Sequence, residues 1–289
     1  MVRGGGYAGT KVSSWGLSGV GKVETVLLAL LQANADVLDI DVNCAVIDSA
    51  ARDAAAAGAA VLVTPELFPV GYAPRRVRAA LDPAELPGLH RRLADIARNH
   101  GIGLVYSLPR ITPQGEWQIS ATLLDTDGST LLGYGKVHLF GPDERAAFTP
   151  AAEQPAVVNF QGIPTSMVIC YDVEFPEAVR AAAAGGAELL LVPTALAHGF
   201  DDVPQILVRA RALESQLAIA YANHSGVEDG CRFLGGSVIA GPDGQLLAAA
   251  GETPVLLYAE LDPDTPRRER AGVPYLAERR PDLYRSWAT

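Results

Sequence analysis

Along the chain, short apolar runs alternate with stretches whose apolar residues recur on one helical face. VLLALLQANAD (residues 26–36) reads as a buried strand followed by a polar loop. Residues 41–57 read as a helix stopped by Gly58, and AAVLVTPELF (59–68) as a strand broken at Pro65. A helix over 90–100 follows, then the strand IGLVYSL (102–108) and a hairpin over 121–135 turning at Asp127-Gly128. VVNFQGIPTSMVIC (157–170) supplies two strands around Gln161-Gly162. The helix–glycine–strand–proline pattern of 52–65 then returns at 180–194, each copy with an arginine, four alanines, glycine, a strand and proline. A helix over 204–216, the strand LAIAYANHS (217–225) and a hairpin through 241–244 complete the pattern. Strands and helices alternate without a long linker, which predicts one α/β domain over residues 23–262 with some internal pseudosymmetry.

Two segments stand outside that pattern. Residues 1–22 are rich in Gly and Ser and show neither period, so they read as a non-core extension. The tail 263–289 carries TPRRER and ERRPDLY and reads as a charged arm, either solvated or laid on a partner subunit.

Composition narrows the classes of function. Hydrophobic residues are 49% and charged residues 19% of the 289, enough for a sizeable core and too little charge for a disordered chain. The net charge of −10 argues against a nucleic-acid partner. The longest uncharged run, 154–171, contains two prolines, so no membrane helix is expected. The start MVRGGG has no apolar core of a secretory signal, and Cys44, Cys170 and Cys231 are too few and scattered for a disulfide framework. A cytoplasmic protein is expected. The five histidines form no H-x-x-x-H pair and no His/Cys cluster, so neither metal nor cofactor is expected.

Three reactive side chains end apolar strands: Glu66 after VLVTP, Lys136 after LLGYG, and Cys170 after TSMVI. Each alone also fits a bland role, the first two as exposed loop residues and the third as a buried structural thiol. Cys170 runs into YDVEFPE, where Pro176 and Glu177 look like a first helical turn. A thiol near a helix N-terminus is expected to have a lowered pKa, with the Tyr171 N–H aimed where an oxyanion forms. Placed in one sheet, the three side chains would converge at one rim. Base, cation and thiol are what amide hydrolysis through a thioester requires.

The motifs T-P-E-L-F-x-x-G-Y (64–72), G-K-V-H-L-F-G-x-x-E (135–144) and C-Y-D-x-E-F-P-E (170–177), in this order, resemble those of the nitrilase superfamily of carbon–nitrogen hydrolases. VPTA (192–195), RARALE (209–214) and GPDG extend the resemblance over nearly the whole chain from about residue 23. It implies a four-layer α-β-β-α sandwich and a Glu66–Lys136–Cys170 triad, with Glu144 as a second glutamate eight residues after the lysine. It also implies Tyr72, Tyr171, Glu174 and Thr194 as substrate-binding residues, and a homodimer or higher homo-oligomer. Relatives often have Y-R-K where this chain has Tyr134-Gly135-Lys136, which puts one salt bridge in doubt.

Cys170-Tyr171-Asp172 resembles the amidases rather than the nitrile-cleaving C-W-E members. Among amidases the string is most like 5-aminopentanamidase and stereoselective amino-amide amidases. The expected reaction is hydrolysis of a small aliphatic carboxamide, with or without an amino group, to carboxylate and ammonia. Hydrolysis of N-carbamoyl amines is the alternative within the class, and a non-catalytic binding module of the same fold the alternative outside it.

Gly16-LSGV-Gly21-Lys22 nearly spells a phosphate-binding loop, but Val23 stands where Ser or Thr would hold Mg²⁺, and no strand precedes it. Deleting residues 1–22 is therefore expected to leave activity and melting temperature nearly unchanged. Ammonia release and thermal melts of the full-length and shortened chains check this.

Overall fold

A computed structural model describes residues 25–287. The first half runs β1 (Val26–Gln32), α1 (Ile40–Ala56), β2 (Val61–Val63), α2 (Pro74–Ala80), α3 (Leu86–His100), β3 (Gly103–Ile111), β4 (Trp117–Leu124), β5 (Thr130–Gly135) and α4 (Gly141–Ala147). The second half begins with β6 (Val158–Phe160), β7 (Ile163–Met167), α5 (Pro176–Ala184), β8 (Leu189–Pro193), α6 (Val208–Ser215) and β9 (Ala218–Ala222). It continues through β10 (Val227–Glu228), β11 (Cys231–Arg232), β12 (Val238–Ala240), β13 (Leu246–Ala249) and β14 (Val255–Leu261) to α7 (Thr265–Gly272) and α8 (Pro281–Trp287). Residues 1–22, including the Gly16–Lys22 stretch, lie outside the described residues.

Two six-stranded sheets form, ordered β14-β1-β2-β3-β4-β5 and β13-β12-β9-β8-β7-β6. Each has three parallel central strands, β1-β2-β3 and β7-β8-β9, with antiparallel strands on either side. Read in matching directions the two orders superpose, and the alanine-rich repeat is the pair α1-β2 and α5-β8. β1, β2 and β3 lie against β8 and β9, with α1 and α3 outside one sheet and α5 and α6 outside the other. The result is the α-β-β-α sandwich.

Local chemistry explains the elements. Asp39 caps α1 by accepting from the Val42 N–H, and Gly58 takes φ +84° just beyond its end. α3 buries Leu86, Leu89, Leu93, Ile96 and Ala97 on one face and ends on Gly101 in the left-handed region. It begins four residues before the expected start because Pro87 sits in its first turn, where no N–H is needed. The expected helix over 204–216 divides into a π-helical turn (Val203–Leu207) and α6. The strands β2, β8 and β9 are completely covered on both faces, as central strands between two layers must be. In the tail, Arg270 of α7 donates to the carbonyls of Ala187 and Gln216. Among the described residues no helix is long and apolar enough to cross a membrane.

Candidate active site

Glu66, Lys136 and Cys170 do come together, but not at the rim of one sheet. Glu66 follows β2 and Lys136 follows β5, both in the first sheet, whereas Cys170 follows β7 in the second. The site lies where the strand ends of the two facing sheets meet. Every polar group there is consequently shielded by both sheets: Glu66 and Lys136 are 0% exposed, Glu144 1% and Cys170 6%.

The Lys136 ammonium bridges the two carboxylates, donating to Glu66 Oε1 at 2.7 Å and to Glu144 Oε1 at 2.6 Å. Glu144 is carried by α4, and its other oxygen accepts the Phe140 N–H at 2.8 Å. The Tyr72 hydroxyl donates to Glu144 Oε1 at 2.5 Å. Tyr72 can enter from its loop because Gly71, at φ +75°, lets the chain pass Val37; a Cβ there would sit 2.7 Å from the Val37 Cα. Glu66 Oε2 is buried without a hydrogen-bond partner, and the Cys170 thiol lies against the same carboxylate.

The electrostatics follow from one cation serving two buried carboxylates. Burial pushes the Glu66 carboxyl up to about 7, opposed by Lys136 and reinforced by Glu144. Burial works against the Lys136 ammonium, but Glu66 and Glu144 outweigh it and hold its pKa well above the ordinary value. The Cys170 thiol is pushed up, first by burial and then by Glu66, while Lys136 and the Ala195 N–H favour the thiolate. This corrects the expectation of a thiol lowered by a helix dipole. Cys170 opens a 3₁₀ turn (Cys170–Glu174), and α5 starts only at Pro176. The thiol is thus a poor acid by itself and needs a base beside it.

Cys170 adopts φ +45°, a conformation that costs a residue with a Cβ and aims its side chain out of the strand direction. Asp172 braces this turn. It accepts the His138 N–H (2.8 Å) and the Tyr134 hydroxyl (3.1 Å), so the loop carrying Lys136 is tied to the turn carrying Cys170. His138 also contacts Asp172 through Nδ1 and stacks on Phe175. From α6, Arg211 donates to the carbonyls of Val173 and Glu174. The Tyr171 N–H donates to no backbone carbonyl outside its own turn, and the Tyr171 ring packs on Phe140 and Phe175 at the partly open side of the site.

Gly135, where relatives often carry arginine, is explained by its neighbour. A Cβ there would collide with the Arg110 guanidinium and lie 2.7 Å from Ala151 Cβ. Arg110, from β3, fills the space and pairs with Glu153 at 2.8 Å. The space beside Gly135 thus holds an ion pair brought in by another strand.

The remaining residues picked out in the sequence are distributed around this cluster. Thr194 is completely buried at the end of β8; its hydroxyl donates to the Tyr221 hydroxyl and its carbonyl accepts the Glu66 N–H. Glu174 is half-buried, and burial raises its carboxyl despite Lys136 and Arg211. The Arg180 guanidinium, six residues further on, faces Glu214, with Nη2 3.5 Å from Oε2. Next to Tyr72 and Glu144 a cavity of about 240 Å³ is lined also by Phe140, Pro142, Asp229 and Cys231. Among the described residues no group of three or more His, Cys, Asp or Glu could hold a metal ion.

Residues 27–270 match the carbon–nitrogen hydrolase family. The chain belongs to that family. It is a hydrolase acting on amides, and comparisons over 65–95% of its length agree. It is 38% identical over 271 residues to a hydrolase of Pseudomonas protegens encoded in the pqqF 5′ region, covering 93% of this chain and 94% of that one. An (R)-stereoselective amidase of a Pseudomonas species is 34% identical over 65% of this chain and 68% of its own. The crystal structure of an amidase from Nesterenkonia sp. superposes with a TM-score of 0.85 at 46% identity, covering 95% of this chain and all of that one. A variant of that amidase carries the acetamide moiety of fluoroacetamide covalently on its active-site cysteine.

Sequence reasoning missed His224, Glu228, Asp172, Arg211 and the Ala195 N–H. His224 had a usable signal, since it too follows an apolar strand, LAIAYA, as Glu66, Lys136 and Cys170 do. The others act through contacts that no local pattern announces.

Proposed function

We propose that the chain hydrolyses small aliphatic carboxamides, amino-bearing ones preferred, through a thioester on Cys170. The observation that carries this is the buried cluster in which one ammonium bridges two carboxylates, with a thiol against the first of them. Glu66 takes the proton from Cys170 Sγ, and the sulfur attacks the amide carbonyl carbon. The oxyanion is held by the Lys136 ammonium and the Tyr171 N–H. Glu66 returns the proton to the departing ammonia, then takes one from the water that cleaves the thioester. Glu144, oriented by Tyr72 and the Phe140 N–H, holds Lys136 in place. Thr194 walls the site from the second sheet. Ammonia release across a panel of amides, nitriles and N-carbamoyl amines tests the reading, and a preference for nitriles would contradict it. The carbamoyl alternative stays in that panel because an N-carbamoylputrescine amidase of Solanum tuberosum is 30% identical over 86% of this chain and 90% of its own.

The pH profile is expected to expose Glu66. The base must be ionised to accept the thiol proton, and its carboxyl is pushed up to about 7. kcat/KM should therefore fall tenfold per pH unit below about pH 7, rather than below the ordinary carboxylate value near 4.3. Initial rates between pH 5 and 9 measure this.

Glu174 supports the amino-bearing substrate. It stands four residues after Cys170, half-buried, in a place that already disfavours its charge. Arg211 donates to its backbone carbonyl and spends its remaining reach on Glu214. An ammonium on the substrate would add to Lys136 and Arg211 the counter-charge needed to offset the burial of Glu174. Glu174→Gln is expected to lower kcat/KM for 5-aminopentanamide by about 10–100-fold, the worth of a hydrogen bond to a charged group, while pentanamide changes little. Equal loss with both substrates would make Glu174 a support of the Cys170 turn instead.

A further inference from the structure

Two buried side chains without a role so far, His224 and Glu228, reach the Glu66 loop from the second sheet. His224 follows β9 and is completely buried. Its Nε2 lies 2.6 Å from the Glu66 carbonyl oxygen and its Nδ1 lies 2.7 Å from Glu228 Oε1. A carbonyl only accepts, so Nε2 carries hydrogen. Glu228 Oε1 also accepts the Ala35 N–H at 2.8 Å, and Oε2 accepts the Tyr72 N–H at 2.8 Å. A carboxyl group that takes backbone donors on both oxygens is held ionised, so the hydrogen of the Nδ1 contact belongs to the ring. The ring is an imidazolium with both N–H groups donated. Burial opposes that charge, but Glu228, with Glu66 behind it, outweighs the burial and raises His224. Glu228 is lowered although burial alone would raise it, because His224 and the Tyr72 and Ala35 N–H groups favour its charge. Phe68, Tyr72 and Phe233 pack their rings around the imidazole.

We propose that His224 is a positioning residue for Glu66, holding its peptide against the sheet that carries Cys170. The reasoning rests on Glu66 being the base. Among the described residues, the one other backbone hydrogen bond of Glu66 runs from its N–H to the Thr194 carbonyl at 3.2 Å, and Leu67 beside it is at φ +54°. The charged bond from His224 is much shorter and fixes the other side of the same residue. Glu228 extends the brace, because the Tyr72 backbone it holds carries the hydroxyl that orients Glu144. One buried ion pair thus sets both carboxylates that flank Lys136.

The test compares wild type with His224→Phe, His224→Gln, Glu228→Gln and Glu66→Gln. It measures kcat and KM for pentanamide, and the pH dependence of Cys170 alkylation by iodoacetamide. Alkylation reports how readily the thiol proton is taken, which a purely structural role would not alter. His224→Phe is expected to lose about 100-fold in kcat, as misplacing a catalytic group by about 1 Å does, with KM changed less than about threefold. Its alkylation midpoint should move up in pH. His224→Gln, which keeps an N–H toward the Glu66 carbonyl, should recover at least about tenfold of the loss. If His224→Phe does not fold, Glu228→Gln decides: it keeps the ring but removes the charge, and should lower kcat about tenfold with the same upward shift. A folded His224→Phe or Glu228→Gln with kcat within twofold of wild type and an unmoved alkylation profile would overturn the proposal. Equal kcat losses in both His224 variants with an unmoved profile would do the same. Glu66→Gln separates the two failures: if it keeps turnover, the reading of Glu66 as the base falls, whereas an inactive Glu66→Gln beside wild-type His224 variants removes only the brace.

Discussion

Cys170→Ala is expected to lose at least about 10⁴-fold in turnover while its melting temperature stays within a few degrees of wild type. The large loss follows because the thioester route has no second nucleophile at the site, and deleting the nucleophile of a covalent mechanism costs several powers of ten. The small stability change follows from what is removed. Alanine keeps the Cβ and the same φ, and the departing sulfur leaves no buried charge without its partner, so the change should be about 1 kcal/mol or less. Cys44 lies in α1, and Cys231, in β11, borders the cavity beside Glu144 but, unlike Cys170, does not lie against the Glu66 carboxylate, so Cys44→Ala and Cys231→Ala should retain turnover. Steady-state ammonia release and thermal melts on the three variants distinguish the cysteines. If either of the other two matched Cys170→Ala without unfolding, the choice of nucleophile would be wrong.

Lys136→Met should be both inactive and markedly less stable. It removes the one ammonium that two buried carboxylates share, and breaking a buried ion pair from one side costs about 3–5 kcal/mol. For a chain of this size that is a fall of roughly 6–20 °C in Tm. The pH dependence carries a definite sign. A carboxyl whose pKa is raised on folding stabilises the native state below its unfolded value, and this is lost as pH rises through the folded value. In wild type the window for Glu66 runs from the ordinary carboxylate value to about 7. Without Lys136 the Glu66 carboxyl loses the cation that opposes its burial and rises further, and the window widens upward. The deficit in Tm should therefore be smaller at pH 5 than at pH 8, as melts at the two values would show. A deficit independent of pH would mean that packing, not charge, was lost.

Much of the candidate site is legible in the sequence because α/β chains place chemistry at strand ends. Glu66, Lys136 and Cys170 each follow an apolar run, and the runs themselves form strands of three to six residues. The internal repeat was also readable, since α1-β2 and α5-β8 occupy matching places in the two sheets. What could not be read was which sheet each strand joins. Local pattern makes β2, β5 and β7 look alike, and only long-range pairing puts β7 opposite the other two. The helices α2 and α4, of seven residues each, are too short for a helical period to register. A lowered thiol pKa needs a helix starting at Cys170, whereas the chain makes a 3₁₀ turn there and burial dominates. His224 was counted among histidines without a metal role, and its meaning depends on a carbonyl 158 residues away. Gly135 reads as a lost salt bridge in the sequence, which does not show that Arg110 occupies the space beside it.

The central claim is that an amide acylates Cys170 and leaves as ammonia before the carboxylate is released. Acid quenching of the enzyme during turnover of pentanamide, followed by peptide mass spectrometry, tests it most directly. The account predicts a pentanoyl mass on the peptide containing Cys170, absent from those containing Cys44 or Cys231 and absent throughout in Cys170→Ala. Ammonia release at the wild-type rate by Cys170→Ala, or a pentanoyl group on another residue, would contradict it.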